Sequence, residues 1–351
     1  MKKKMLIAML FLGFAYHELC STAMCLTEPF VQKKVESKVR VKASSGKVIV
    51  SGWEKDTVTV VNKKGVTIDE SSKNDRTVIS VEEELEAPLD VKIPEQSSLE
   101  IEAGNSDVEV IGVKGNVRIN ISSGDVKTQK TGSLEVSFRE GSTVIEDVSG
   151  YISISSLSGD VKTKRVKGDI VTSLTSGDMV AENIEGSVEI NLTSGDLVVK
   201  NISGNLKTAA ISGDANIECI KGTVEFSSAS GSLTVKGNAS NIEAITVSGD
   251  LYYDGTVSAT GRYTLKTTSG DVKIAIPDDI PGFNAFLSSY SGDVVTDFPI
   301  TLDRPSQHKA VNQRLVGKYK EGGAQIKIDS FSGDVVLTKS LSKSNDCEKI
   351  K

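Results

Sequence analysis

The triplet Ser-Gly-Asp recurs along this chain at a nearly constant interval, and the recurrence limits the possible fold more than any other feature. Its copies occupy 123–125, 158–160, 176–178, 194–196, 212–214, 248–250, 269–271, 291–293 and 332–334, and the variant Ser230-Gly231-Ser232 fills the one gap after 214. From 160 to 250 the step is 18 residues. A fixed period of this kind is typical of repeat proteins whose units stack along one axis.

A second glycine divides each unit into two halves of about nine residues. These glycines are Gly115, Gly132, Gly150, Gly168, Gly186, Gly204 and Gly222. Apolar or small residues alternate with polar ones in each half, which predicts strands with one buried face. In two successive units the predicted inward positions are Val161, Thr163, Val166, Ile170, Thr172, Leu174, Met179, Ala181, Ile184, Val188, Ile190 and Leu192. The sequence therefore predicts an all-β fold, a flattened parallel β-solenoid with about 18 residues and two short strands per coil.

Composition agrees with short strands and tight turns, since the chain has 31 Gly, 7 Pro and 5% aromatic residues. A net charge of −6 without a sustained basic run argues against nucleic acid as a partner. Residues 1–23 read as a signal peptide, with Lys2 to Lys4 ahead of a short apolar run and Ser21-Thr22-Ala23 as the cleavage site. We expect an exported protein, periplasmic, cell-surface or secreted, with no transmembrane span after the signal peptide; the alternative is an uncleaved signal anchor.

The spacing of the turns lengthens toward the C-terminus, where an insertion of basic character interrupts the repeat at about 298–323. The predicted segments are 1–23, a signal peptide; 24–37, a polar lead-in; 38–103, an N-terminal β section and cap; 104–297, the regular solenoid; 298–341, the basic insertion and a C-terminal closing coil; and 342–351, a disordered tail.

The numbers of cysteine and histidine residues limit which disulfides, metal sites and catalytic triads the chain can form. Cleavage after Ala23 leaves Cys25, Cys219 and Cys347, which allows at most a single bridge, and pairing of Cys219 with Cys347 stays open. His308 is then the only histidine, which removes nearly all support for a His-based triad or a multi-histidine zinc site. A coil of two strands also leaves no cleft of the kind that polysaccharide-cleaving β-helices use. We therefore expect no enzyme, no catalytic residue, no cofactor and no metal site.

The aspartates of the repeated triplet would form a column of carboxylates along one corner. They are Asp125, Asp160, Asp178, Asp196, Asp214 and Asp250. We interpret them as structural turn residues that accept backbone hydrogen bonds, because Gly-Asp pairs suit tight turns. The alternative is calcium binding, but the nonapeptide calcium solenoid needs Gly-Gly-x-Gly-x-Asp in each half, and the second half here offers a single glycine.

Reading every eighteenth residue from 146 gives a column whose charges alternate in sign. Its members are Glu146, Lys164, Glu182, Lys200, Glu218, Lys236 and Asp254. Opposite charges on neighbouring strands attract and like charges repel, so this column should fix the register of the coils. We interpret it as a structural salt ladder rather than a binding face.

Two other features are candidates for a contact with a partner. One outward column is small and polar throughout: Asn120, Ser137, Ser155, Ser173, Asn191, Ala209 and Ser227. It could lie against a glycan or another protein, or be ordinary solvated surface. Ice binding would need flat outward arrays of regularly spaced Thr, which the outward columns do not supply. The basic insertion offers a possible interaction loop, Arg304, His308, Lys309, Arg314, Lys318 and Lys320, with a hairpin or cap over the last coils as the alternative.

Several stretches in chain order resemble a known family. They are Ser45 to Trp53, Val91 to Pro94, Ser269 to Pro277 and the closing Ser332 to Val335, within roughly residues 35–340. Their order resembles the bacterial putative-adhesin domain of unknown function, which has a toast-rack β-solenoid fold. The resemblance implies an exported or envelope-associated protein that adheres or binds envelope partners, with no established catalytic residues.

The leading hypothesis is a non-enzymatic exported β-solenoid that presents an extended surface for adhesion or cell-envelope protein interaction. The partner would be a protein or glycan of a cell surface or envelope, and the oligomeric state is open. The alternative is a glycan or anionic-ligand binding module centred on the basic insertion 298–323.

Overall fold

The structure is a computed structural model, and it describes residues 33–34, 38–61, 66–71, 76–81, 87–302, 313–340 and 347. Within these ranges all of the regular secondary structure is β-strand, and most strand pairs are parallel. The predicted all-β solenoid with two strands per coil is confirmed.

The strands are numbered in chain order. The N-terminal part contains β1 (Lys33–Lys34), β2 (Lys38–Trp53), β3 (Thr57–Val60), β4 (Val66–Ser71), β5 (Arg76–Val81), β6 (Leu89–Pro94) and β7 (Ser98–Ile111). The body contains β8 (Val117–Ser123), β9 (Val126–Thr131), β10 (Leu134–Glu140), β11 (Thr143–Val148), β12 (Ile152–Ser158), β13 (Val161–Val166), β14 (Ile170–Ser176), β15 (Met179–Ile184), β16 (Val188–Ser194), β17 (Leu197–Ile202), β18 (Leu206–Ser212), β19 (Ala215–Ile220), β20 (Thr223–Ser230), β21 (Leu233–Lys236), β22 (Asn241–Ser248), β23 (Leu251–Asp254), β24 (Arg262–Ser269) and β25 (Val272–Ile276). The C-terminal part contains β26 (Gly282–Ser289), β27 (Val294–Thr296), β28 (Thr301–Leu302), β29 (Gln313–Lys320), β30 (Ala324–Ser332) and β31 (Val335–Lys339).

Two parallel sheets run along the solenoid. The even sheet consists of β8, β10 and the following even-numbered strands to β24, and the odd sheet consists of β9, β11 and the following odd-numbered strands to β25. Each strand pairs with the equivalent strand of the next coil, for instance Ile152 with Ile170 and Val161 with Met179. The thin core lies between the sheets, and all twelve predicted inward residues are buried, with exposures of 0 to 5%.

The odd strands keep two inward positions three residues apart, which simple alternation does not allow. In β13 both Thr163 and Val166 are buried, whereas Lys164 and Arg165 between them are not. The backbone of Arg165 is left-handed, with φ 55°, and one left-handed residue shifts the phase of the alternation. The same position is left-handed in six successive coils, at Lys130, Asp147, Arg165, Asn183, Asn201 and Cys219.

The glycine of the Ser-Gly-Asp turn is required for two reasons. Gly177 has φ +126°, a conformation that side chains oppose. A Cβ at this position would also lie 2.3 Å from the carbonyl oxygen of Gly159 in the previous coil. The glycine corner therefore sets how closely the coils stack.

The N-terminal end of the solenoid does not follow chain order. The long strand β2 pairs on one side with β7 and on the other with β5 and β6. Strand β2 thus lies inside the stack, and the chain then moves outward to a terminal coil and returns. The antiparallel strands β3 and β4 then cover the outer coil. The boundary placed at 103 and 104 falls within β7, so the regular stack includes part of the predicted cap.

The C-terminal end is arranged in the same way. Strand β30 lies between β24 and β26, and β31 lies between β25 and β27. The closing coil, 324–339, is therefore not the last coil in space. Strand β29 pairs antiparallel with β26 and covers the terminal coil. Both ends are closed by antiparallel strands, which blunt edges that would otherwise be open to further pairing.

A disulfide joins Cys219 on β19 to Cys347 near the C-terminus, with 5.2 Å between the Cα atoms. The pairing left open by the sequence is thus present. Residue Ser340, just after β31, donates a hydrogen bond from its hydroxyl to Asp254 at 2.6 Å. Cys347 is therefore linked to a coil that precedes it by 128 residues. The rest of the tail predicted to be disordered, 342–351, lies outside the described residues.

Candidate interaction surface

The aspartates of the turn hold neighbouring coils together. The Oδ1 atom of Asp160 accepts a hydrogen bond of 2.9 Å from the backbone N–H of Asp178, which stands in the next coil. The same bond to the following coil is made by Asp125, Asp178, Asp196, Asp214 and Asp250, at 2.8 to 2.9 Å. These bonds cross between coils rather than closing the turn that contains the aspartate. In the described part of the chain no cluster of three or more His, Cys, Asp or Glu is placed to hold a metal ion.

A second column of such bonds runs along the opposite corner. The Oδ1 atom of Asp169 accepts from the N–H of Ser187 at 2.8 Å, and Asn205 accepts from Thr223 at 2.9 Å. Sequence reasoning missed this column, although its signal is present: the residue after the second glycine of the unit is usually Asp, Ser or Asn. Both corners are thus fixed to the next coil by side chains.

The predicted charge column lies on the outer face of the odd sheet, and its members face each other from coil to coil. Glu146 is opposite Lys164, and the series continues in register to Asp254. Direct ion pairs form between Lys164 and Glu182 and between Lys200 and Glu218, each with 3.1 Å between nitrogen and oxygen. Whether the column controls register stays a prediction.

The first member of the column uses a different partner. The guanidinium of Arg165 donates to Glu146 at 3.0 Å and to Asp147 at 2.6 Å. The hydrogen bond from Arg165 lowers the pKa of Asp147 below its ordinary value. Asp147 and Arg165 both belong to the positions with left-handed backbone. Their contact therefore lies beside the alternating charge column and adds to it.

Only half of the predicted interaction loop can be placed. Arg304, His308 and Lys309 lie outside the described residues. Arg314, Lys318 and Lys320 belong to β29, a strand that covers the terminal coil rather than a free loop. The ammonium of Lys320 donates to the carbonyl oxygens of Asp278 at 3.1 Å and Ile280 at 2.7 Å, which assigns it a structural role.

The even sheet presents a surface of a different kind, which we call the uncharged strip. It consists of two outward columns on β12 to β22: Ser155, Ser173, Asn191, Ala209, Ser227 and Ile245, and Leu157, Thr175, Thr193, Ile211, Ala229 and Val247. The first column continues the small polar column predicted from the sequence, and its residues pair in register. The strip ends at Arg139 in the preceding coil and at Lys266 in the following one. Along its side, the third outward column of the same strands carries Glu189, Lys207, Glu225 and Glu243.

An open groove of about 720 Å³ follows this face over several coils. Asn120, Ser137, Ser155, Ser173, Asn191 and Ala209 contribute to its lining, together with the outer edges of buried residues such as Leu174 and Leu192. Leu157 and Ile211 also line it and are 55% and 58% exposed. The groove therefore offers hydroxyl and amide groups beside exposed apolar side chains.

The apolar column was not recognised from the sequence. It occupies the position directly before the Ser-Gly-Asp turn, and beyond the strip it continues to Phe331 and Tyr290, which are 56% and 45% exposed. The signal was that this one position, otherwise Thr or Ala, is Leu, Ile, Val, Tyr or Phe in five of the nine turns from 158 onward. The alternating pattern predicts that this position faces outward, and an outward position is ordinarily expected to be polar. For this reason its apolar residues were not recognised.

The comparisons with known proteins support the fold seen in this geometry. A family model described as Toastrack DUF4097 matches residues 30–241 and 223–338. The chain belongs to the Toastrack family. The family resemblance stated from the sequence is thereby confirmed. No curated protein matches this Toastrack chain.

Among solved structures, the Toastrack chain is similar to one described as a "putative cell adhesion protein" from Clostridium sporogenes. The identity is 8%, the match covers 88% of this chain and 94% of the other, and the TM-score is 0.18. Such a TM-score does not establish a common arrangement of strands. Within the described residues no helix is long and apolar enough to span a membrane.

Proposed function

We propose that this Toastrack protein is a non-enzymatic, exported β-solenoid that binds a cell-surface or envelope partner through the uncharged strip. The observation that supports this proposal most is the absence of charge from two adjacent outward columns over six successive coils, in a chain of which 25% is charged. The centres of protein interfaces are depleted in charged residues, because a buried charge loses its hydration.

The exposed apolar residues of the strip also support an interaction surface. Leu157, Ile211 and Val247 are each more than half exposed and lie along one corner. With coils about 4.8 Å apart, six coils extend over about 24 Å. Large apolar side chains that recur along this length, with Thr and Ala between them and hydroxyl and amide groups beside them, support an interaction site.

A test can compare the same substitution on the two faces. Asn191 lies in the uncharged strip and Asn216 lies on the outer face of the odd sheet, and both are exposed. We expect Asn191→Lys and Asn191→Glu each to weaken binding to envelope fractions of the producing organism at least tenfold, about 1.4 kcal/mol, because either charge would be buried without a partner.

The matched variants Asn216→Lys and Asn216→Glu should bind as the unchanged protein does. Binding is measured with purified protein by co-sedimentation, and folding is checked by circular dichroism. Equal loss in the two sets of variants would contradict the proposal. An effect of opposite direction for Lys and Glu at 191 would also contradict it, because it would indicate a charged partner.

A further inference from the structure

The even sheet changes character at its C-terminal end, where cations and aromatic rings replace the uncharged residues. We call this area the basic aromatic patch. It consists of Arg262, Lys266, Arg314, Lys318 and Lys327 with Phe286, Tyr290 and Phe331, at outward positions of β24, β30, β26 and β29 and in the turn after β26. The intercalation of β30 between β24 and β26 brings these residues together from three distant parts of the sequence.

The register places the cations within one surface. Lys266 is opposite Asp329, which is opposite Ser288, which in turn is opposite Arg314. Directly opposite residues of neighbouring strands point to the same face. In the next row Lys327 is opposite Phe286. Five cations therefore share this surface with Asp329, the one acid among the outward positions described on these four strands, although the chain as a whole carries a net charge of −6.

The aromatic residues give the patch a fixed shape. The guanidinium of Arg314 lies 4.5 Å from the ring centre of Phe286, and the ammonium of Lys327 lies 5.2 Å from it. Cations above a ring are held in place by the ring quadrupole. Tyr290 and Phe331 stack on each other with ring centres 4.7 Å apart and planes 4° apart, and both remain largely exposed.

We infer that the basic aromatic patch binds a carboxylate-bearing polysaccharide. Arg and Lys side chains complement carboxylates, and exposed aromatic rings offer apolar surface to the C–H faces of sugar rings. Asp329 lies among the cations, with its Oδ2 atom 3.7 Å from the ammonium nitrogen of Lys327. Its carboxylate can accept further hydrogen bonds, and we therefore expect it to select among polyanions. A polysaccharide has hydroxyl donors for it, whereas the phosphodiester backbone of DNA has none.

The rings also favour a sugar over a nucleic acid. Single-stranded nucleic acids bind by stacking successive bases on free ring faces, but here Tyr290 and Phe331 cover one face of each other. An anionic membrane surface would interact mainly with the cations and would not require Asp329. Binding to DNA or to anionic lipid is therefore an outcome that the test must separate from binding to a glycan.

The probe is polygalacturonate, with its methyl-esterified form as the neutral polymer of the same sugar. We expect the full chain to bind polygalacturonate, more weakly at about 500 mM than at about 50 mM salt because exposed charges are screened, and not to bind the ester. The double variant Lys266→Gln and Lys327→Gln should bind about five- to tenfold more weakly, and Phe331→Ala should also weaken binding.

The matched control neutralises two exposed lysines of the odd sheet, Lys127→Gln and Lys162→Gln, and should bind polygalacturonate as the unchanged protein does. The inference is overturned by absent binding, by equal loss in the control, or by tighter binding to double-stranded DNA or phosphatidylserine vesicles. This site does not depend on the uncharged strip: Asn191→Glu should leave polygalacturonate binding unchanged, so the two proposals fail separately.

Discussion

The two faces of the solenoid carry opposite surfaces on the same backbone. The odd sheet displays charges that alternate in sign from Glu146 to Asp254, and the even sheet displays two columns without charge over six coils. Parallel strands with a repeating pattern can slip by a whole coil, since every coil has a similar pattern of inward positions. Alternating charge on one face opposes such a slip, because it would bring like charges together.

This difference suggests a division of roles. If charged columns hold the register, the uncharged strip is free of that requirement and can keep small and apolar residues in long columns. Hydrogen bonds from Asp and Asn side chains at the two corners fix the spacing of the coils for both faces. The contrast between the faces can be tested by substitutions at the corner that they share or on one face at a time, with stability as the measured quantity.

The largest effect is expected at the shared corner. Gly177→Ala places a Cβ 2.3 Å from the carbonyl oxygen of Gly159 and strains a φ of +126°. We expect it to lower the free energy of unfolding by about 2 to 4 kcal/mol, measured by chemical denaturation. Ser176→Ala in the same turn is the control and should change stability by less than about 0.5 kcal/mol. A mild effect at 177 would mean that the coils can separate locally at little cost.

The next effect concerns the disulfide, which fixes the C-terminus to the odd sheet. Cys347→Ser should lower the free energy of unfolding by about 2 to 4 kcal/mol, because the bond closes a long loop in the unfolded chain. Thermal unfolding under oxidising conditions measures the change. In the presence of a reductant the variant and the unchanged protein should unfold at the same temperature; a persisting difference would assign the effect to packing instead.

A smaller effect distinguishes the two faces directly. Lys200→Glu removes an ion pair of 3.1 Å and places acids in three adjacent coils, so we expect a loss of about 1 kcal/mol. The substitution Asn191→Glu in the uncharged strip meets no such neighbours and should cost less than about 0.5 kcal/mol. Denaturant titrations of both variants at low salt test the contrast. Equal stability losses would remove the proposed role of the charge column.

The smallest effect is a dependence on pH. Because Arg165 lowers the pKa of Asp147, this carboxylate stabilises the folded protein fully above the pKa of the unfolded chain, near 3.8, and that contribution is lost as the pH falls through the lower folded value. The difference in unfolding free energy between the unchanged protein and Asp147→Asn should therefore be larger at about pH 6 than at about pH 2. A difference that does not vary with pH would show that the contact contributes through packing alone.

The repeat and its direct consequences can be derived from the sequence alone. The period of 18 residues predicts the coil, and the inward residues from Val161 to Leu192 follow from alternation within each half. The opposite charges at 146 and 164 come into register for the same reason. These features depend on neighbours that are one period apart, so comparing residues at that interval finds them.

The order of coils at the two ends, in contrast, is a property of the folded structure. Strand β30 enters between β24 and β26, and β2 lies between β7 and the outer strands β5 and β6. Every parallel strand offers the same backbone hydrogen-bonding groups on both sides, so the local pattern does not state which coil comes next in space. The basic aromatic patch and the pairing of Cys219 with Cys347 depend on that order, and for this reason neither could be derived from spacing along the chain.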